Sequence, residues 1–307
     1  MKKGFIVLTM LLICFTLAQA QQGRVVQRQD LSSLNNQHEP PMLGIHWARD
    51  FHPFAQAGQS RGSAANMTYH GGVILTSVVA EAIFWGPSWT NSGFVGDKIT
   101  GLDGWHSGFS NSNYAKTSDE YTGSNGTVGP SLTYQGHTID TTQAANGSST
   151  SAVLAEVCKV IASPVSNGYY PVYTDVKRGN AGYCAYHSYG TCGGKTVQFA
   201  FFFSLDGDAG CDPQDTSGLH SQGLAALANV SGHELSEART DPDNPYAWYD
   251  KQGYENGDKC AWTFNVPLVT FSDGNQWKIQ GEWSNAAYTA GTGYPNSKGQ
   301  KGCLDGH

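Results

Sequence analysis

The chain has 307 residues, of which 39% are hydrophobic and only 14% charged, so compositional disorder is excluded for most of it and the length suffices for a sizeable core. Eighteen basic against 25 acidic residues give a formal charge of −7 with no basic cluster, which argues against a nucleic-acid partner. Sparse charge with 38 glycines and 12% aromatic side chains fits a loop-rich, β-containing extracellular protein.

Lys2 and Lys3 precede an apolar run from Phe5 to Leu17, closed by Ala18-Gln19-Ala20. This is the pattern of a cleaved secretory signal over residues 1–20, and its removal leaves a net charge of 16 − 25 = −9. No other stretch approaches the roughly 18 apolar residues of a membrane span, so no membrane association is expected after cleavage. The expected location is extracellular, or periplasmic in a Gram-negative bacterium. Residues 21–65, rich in Gln, Asn, Ser and Arg with Pro40-Pro41 in the middle, show no hydrophobic period and read as a low-order leader or linker. Residues 66–307 are expected to form one α+β domain.

Within it, Val73-Ile74-Leu75 and Val78–Trp85 read as strands, the second stopped by Gly86-Pro87. Asp97 to Trp105 reads as a short helix, and Leu132 to Ile139 as a hairpin turning at Gln135-Gly136. From Thr150 to Ile161 the residues Val153, Leu154, Val157, Cys158 and Ile161 share one helical face. Val172–Val176 and Val197–Phe203 read as buried strands, and a second long helix runs from about Gly218 to Arg239, ending before Pro242. Val266–Phe271 and Gln276–Trp283 flank Asp273-Gly274 as a C-terminal hairpin. Outside the signal there are six cysteines, Cys158, Cys184, Cys192, Cys211, Cys260 and Cys303. In an exported chain these imply three disulfides with fifteen possible pairings, of which a local Cys184–Cys192 loop is the simplest.

Chemistry concentrates in the second long helix. His233 and Glu237 are four residues apart, so they share a helix face and can share a metal ion. Glu234 stands where the general base falls in H-E-x-x-H metallopeptidases, although here the second histidine is a carboxylate. A further ligand would come from downstream: Glu255, Asp258 or Asp241. One histidine with two carboxylates nearly neutralises Zn²⁺, which makes Ca²⁺ or Mn²⁺ credible beside it. The competing reading makes Ser231 and Glu234 a helix-capping box, with His233 and Glu237 ordinary surface residues. His70 and His187 read as structural and surface histidines, and Asn66, Asn125, Asn146 and Asn229 head N-x-S/T triplets, the last on the motif helix where no glycan is expected.

Thr68-Tyr69-His70-Gly71-Gly72, Ile83-Phe84-Trp85-Gly86, Gly182-Tyr183-Cys184 with Cys192-Gly193, and Gly232-His233-Glu234 through Glu255-Asn256-Gly257-Asp258-Lys259-Cys260 resemble, in the same order, the plant phosphate-induced protein 1 (EXORDIUM) family and its microbial secreted relatives. The resemblance spans residues 66–303, with longer insertions around Gly104–Ser151. The plant proteins are apoplastic and tied to growth responses. Their helix motif resembles that of zincin peptidases, which implies a single zincin-like α+β domain with a mixed sheet. The implied roles are His233, Glu237 and Glu255 as metal ligands and Asp258 as their orienter or replacement. Glu234 would be the general base, and Tyr249 or Tyr246 the donor to the oxyanion. The substrate would be a peptide or a cell-wall polymer. The alternative function is a non-catalytic glycan-binding module using Trp85, Trp89, Trp105 and Trp283, with any metal serving structure.

Overall fold

A computed structural model describes residues 39–51 and 65–307; the expected secretory signal, residues 1–20, lies outside the described residues. A six-stranded mixed sheet organises the chain. Its strands are β1 (Leu43–Trp47), β2 (Val78–Trp85), β3 (Leu132–Asp140), β4 (Gly168–Lys177), β5 (Tyr183–Cys192) and β6 (Lys195–Ser204), in the spatial order β1-β5-β6-β4-β2-β3. The run β3-β2-β4-β6 is parallel, whereas β5 joins β6 and β1 joins β5 antiparallel. The inner strands β4 and β6 are buried over most of their length, as their unbroken apolar runs require when both faces are covered. The covering helices are α1 (Lys98–Phe109), α2 (Thr150–Val160) and α3 (Gln222–Thr240). The fold is α+β, with small C-terminal sheets and three disulfides, as the sequence led us to expect in outline.

Several local expectations need correction. The stretch read as a hairpin over Leu132–Ile139 is one strand. Gly136, at φ +93°, absorbs an extra residue where the register slips between Ala80↔Tyr134 and Ala82↔His137, so it makes a bulge instead of a turn. Val73–Leu75 forms no strand. The C-terminal hairpin is only two residues deep, pairing Val269 with Trp277 and Thr270 with Gln276, because Glu282–Trp283 leaves to pair with Lys301–Leu304. Residues 39–51, read as leader, contribute β1, whose Leu43, Ile45 and His46 are buried.

The local Cys184–Cys192 bond is also overturned. Both residues lie on β5, eight positions apart, which on an extended strand is about 26 Å. They bond elsewhere: Cys158–Cys192 ties α2 to β5, Cys184–Cys211 ties β5 to the turn before α3, and Cys260–Cys303 ties the segment after residue 255 to the last strand.

Helix α3 is buried from Gly223 to Thr240, so its polar residues need partners. Ser221 caps it by accepting from the Leu224 amide, and Asp97 in turn holds the Ser221 amide at 2.8 Å. Because the helix starts there, Ser231 is mid-helix and bonds the Tyr173 hydroxyl at 2.8 Å; the capping-box reading fails. Arg239 donates to the carbonyls of Ala115 and Gly129 at 2.9 and 2.8 Å, fixing the other end. Replacing Cys184 and Cys211 together by alanine is expected to cost about 3 kcal/mol, read as a lowered denaturant midpoint of the oxidised protein. An unchanged midpoint would show that this bridge does not form.

Candidate metal centre

His233, Glu234 and Glu237 project from one stretch of α3, and all three are fully buried. His233 Nε2 lies 3.1 Å from Glu237 Oε2 and 3.8 Å from Asp258 Oδ1. Asp258 sits on a single helical turn, α4 (Asn256–Lys259), and Glu255 is its N-cap; the two form a reciprocal capping box. That box orients them. The Glu255 amide binds Asp258 Oδ2 at 3.0 Å, and the Asp258 amide binds Glu237 Oε1 at 2.9 Å, so Asp258 Oδ1 and Glu237 Oε2 are the oxygens near His233. Gly257 permits the approach, since a Cβ there would stand 2.9 Å from His233 Nδ1.

From the sheet side, His187 on β5 brings Nε2 to 3.4 Å from Glu255 Oε2. Two triads therefore have donor atoms within 4.8 Å of one another: His233, Glu237 and Asp258, and His187, Glu237 and Glu255, with Glu237 in both. Tetrahedral ligands at about 2.1 Å from an ion stand about 3.4 Å apart, so this buried His/carboxylate group is able to hold a metal ion. The expectation for His187 is corrected: it is a buried strand residue within the cluster. Asp241 is in neither triad. Asp241 caps the end of α3 and accepts from the Ala247 amide at 2.6 Å. Tyr249 stacks on His70 with ring centroids 3.7 Å apart, and the Tyr246 ring is 6.4 Å from that of Tyr249. Trp85, Trp89, Trp105 and Trp283 are buried and offer no sugar-stacking face, and Asn229 is buried, accepting from the Gln280 amide at 2.8 Å.

Electrostatics fit a cation. Burial raises the Glu234 carboxyl well above the carboxylate range, and Glu237, Asp258 and Glu255 push it further. Burial and then Glu237 do the same to Asp258, opposed by His233. Burial lowers the His233 imidazole against the pull of Asp258 and Glu255, leaving it neutral near pH 7, the form that ligates. Neither oxygen of Glu234 has a side-chain hydrogen-bond partner among the described residues, although the His46 backbone is turned toward its carboxylate.

Gln280, which nothing in the local sequence marks, governs the tautomer of His233. Its Nε2 donates to the Gly257 carbonyl at 2.8 Å and to His233 Nδ1 at 3.1 Å, while its Oε1 accepts from His46 Nε2 at 3.0 Å. This network puts the His233 proton on Nε2. A cation on Nε2 requires the proton on Nδ1 instead, with the Gln280 carbonyl turned toward it.

No family model, curated protein or solved structure matches the chain.

Two outcomes test the centre. Because the Asp258 pKa is raised in the metal-free protein, a bound cation must displace its proton; affinity is expected to fall as pH falls, with protons released on loading. Calorimetric titration with Zn²⁺ or Mn²⁺ in buffers of different ionisation enthalpy reads both, and no proton release would contradict the assignment. Gln280→Leu is expected to weaken metal affinity about 10–100-fold without unfolding the chain.

Proposed function

We propose that the protein is a secreted, metal-dependent peptidase-like hydrolase with a zincin-like fold, related to the phosphate-induced protein 1 (EXORDIUM) proteins. The observation that carries this reading is Glu234. It is a fully buried carboxylate on the same helix as the His233–Glu237 donor pair, with the His46 backbone turned toward it and no side-chain hydrogen bond to either oxygen among the described residues. A buried carboxylate left in that state is costly unless a bound group or a reaction uses it. A mixed sheet with an antiparallel strand beside the motif helix supports the fold assignment. Three disulfides are consistent with an oxidising, extracellular setting, and no helix among the described residues is long and apolar enough to cross a membrane.

In this mechanism His233, Glu237 and Asp258 hold the metal, with Glu255 and His187 completing or exchanging with that set. An ion held there, Zn²⁺ or with so many carboxylates Mn²⁺ or Ca²⁺, would supply Lewis-acid chemistry toward a substrate carbonyl and a water. Glu234 takes the water proton on its carboxylate and returns it to the leaving amine; a pKa raised by burial and like charge suits both transfers. Gln280 fixes the imidazole of His233, and the disulfide at Cys260 holds α4 so that Asp258 stays on the site.

Metal content by mass spectrometry separates the parts. His233→Ala and Glu237→Ala are expected to lose the ion. Glu234→Gln is expected to keep ion and fold while hydrolysis of a quenched-fluorescent peptide library drops at least about 100-fold. Metal retained with no hydrolysis in the parent protein would leave a metal-binding scaffold. A parent that takes up no Zn²⁺, Mn²⁺ or Ca²⁺ would sink the proposal.

A further inference from the structure

The centre is closed, since His187, His233, Glu234, Glu237 and Glu255 are all fully buried, and a hydrolase needs a way in. The element over it is β1. A Cβ on Gly44 would fall 1.9 Å from Glu237 Oε2 and 2.7 Å from His187 Nε2, so the main chain at Gly44, with φ +45°, stands against the ligand atoms. Its main-chain groups address the reacting side chains: the Gly44 backbone bonds His233, and the His46 backbone bonds toward Glu234. Two residues past Gly44, the His46 side chain fills a pocket. Its ring centroid is 4.3 Å from that of His233 and 4.5 Å from that of Trp262, and its Nε2 is 3.0 Å from Gln280 Oε1.

The pairing of β1 with β5 is irregular. Register shifts fall on both sides of His46, between Leu43↔His187 and His46↔Ala185 and again before Trp47↔Tyr183. Outside the strand, the segment is held mainly at its ends. Glu39 accepts from Ser151 Oγ at 2.8 Å and the Pro40 carbonyl from Thr150, while the Ala48 and Arg49 amides donate to the carbonyls of Gly182 and Gly210 at 2.9 and 2.8 Å. A main chain laid along a strand edge, with one side chain in a pocket, is how extended peptides are bound.

We propose that β1 is an intramolecular inhibitor, occupying along the edge of β5 the groove in which an extended peptide binds; this rests on the hydrolase reading for what the groove is used for. The groove takes a glycine where Gly44 lies, because any side chain there strikes Glu237. Two residues on it takes a flat, hydrogen-bonding side chain, matched to the Trp262 ring and the Gln280 carbonyl. Tethering holds β1 in place at an effective concentration of roughly millimolar, so a weak peptide ligand saturates the groove until the chain is cut.

The test uses the full chain with a site-specific protease sequence inserted between Phe51 and Ala65. After cutting, size-exclusion chromatography with intact-mass detection asks whether the N-terminal piece leaves a core that stays folded. A synthetic peptide of residues 41–49 is then added back, with its Gly44→Ala version beside it. The expected result is release at micromolar concentration, one-to-one rebinding of the parent peptide, and at least about 10-fold weaker binding of the Gly44→Ala peptide. In the uncut chain, Gly44→Ala is expected to speed extraction of bound Zn²⁺ by a chelator at least several-fold. Four results would overturn the proposal: a piece that stays bound until the core unfolds, a core that unfolds on release, equal binding of the two peptides, or measurable peptide hydrolysis that is the same before and after cutting. Release and selective rebinding by a core that hydrolyses no peptide would uphold the inhibitor-like seating of β1 and sink the hydrolase.

Discussion

Holding several carboxylates together in a dry interior is the constraint on which the remaining architecture depends. Glu234, Glu237 and Glu255 are fully buried with Asp258 beside them, and isolated ionised carboxylates do not survive such burial without compensation. The chain meets this in three ways. Imidazoles from β5 and α3 face the carboxylates, the Asp258 amide of α4 donates to one oxygen each of Glu237 and Glu255, and the raised pKa values of Glu234 and Asp258 leave protons that a cation can displace. The same arrangement that is costly without an ion becomes favourable with one.

Each supporting element can be traced to that requirement. Helix α3 must be rigid and buried, so its polar residues are spent on Tyr173, on the carbonyls of Ala115 and Gly129, and on the Gln280 amide. The single turn of α4 is too short to hold itself and is fastened by the Cys260–Cys303 bridge and its capping box. Gly44 and Gly257 are the two positions where main chain must approach the ligands closely, and neither has room for a Cβ without displacing a donor. The β1 segment closes the centre from the sheet edge, and so brings the question of access into the fold itself.

Much of the secondary structure was legible. Val78–Trp85 and the helix from Thr150 came out nearly residue for residue, because strong apolar periods and flanking Gly-Pro or serine caps act within a few residues. The misreadings came from signals with two local meanings. Gly136 suits a turn or a bulge, and only pairing with β2 selects the bulge. Cys184 and Cys192 look like a loop clasp until the segment between them is drawn out as a strand. Residues 39–51 have no amphipathic period because β1 is buried on both sides, against the motif helix and the sheet edge.

The sequence alone determined the i, i+4 spacing of His233 and Glu237, the adjacency of Glu234, the downstream carboxylates and an even cysteine count. These are properties of a helix face and of counting, and no distant contact can change them. Only the tertiary structure decided that His187 joins them, that Gln280 sets the tautomer of His233, which cysteines pair, and that Gly44 lies over the ligands. Those facts need residues from β1, β5, α3, α4 and the segment after Trp277 to meet, and such meetings are fixed by strand pairing and burial across long separations, for which a linear sequence carries no spacing rule.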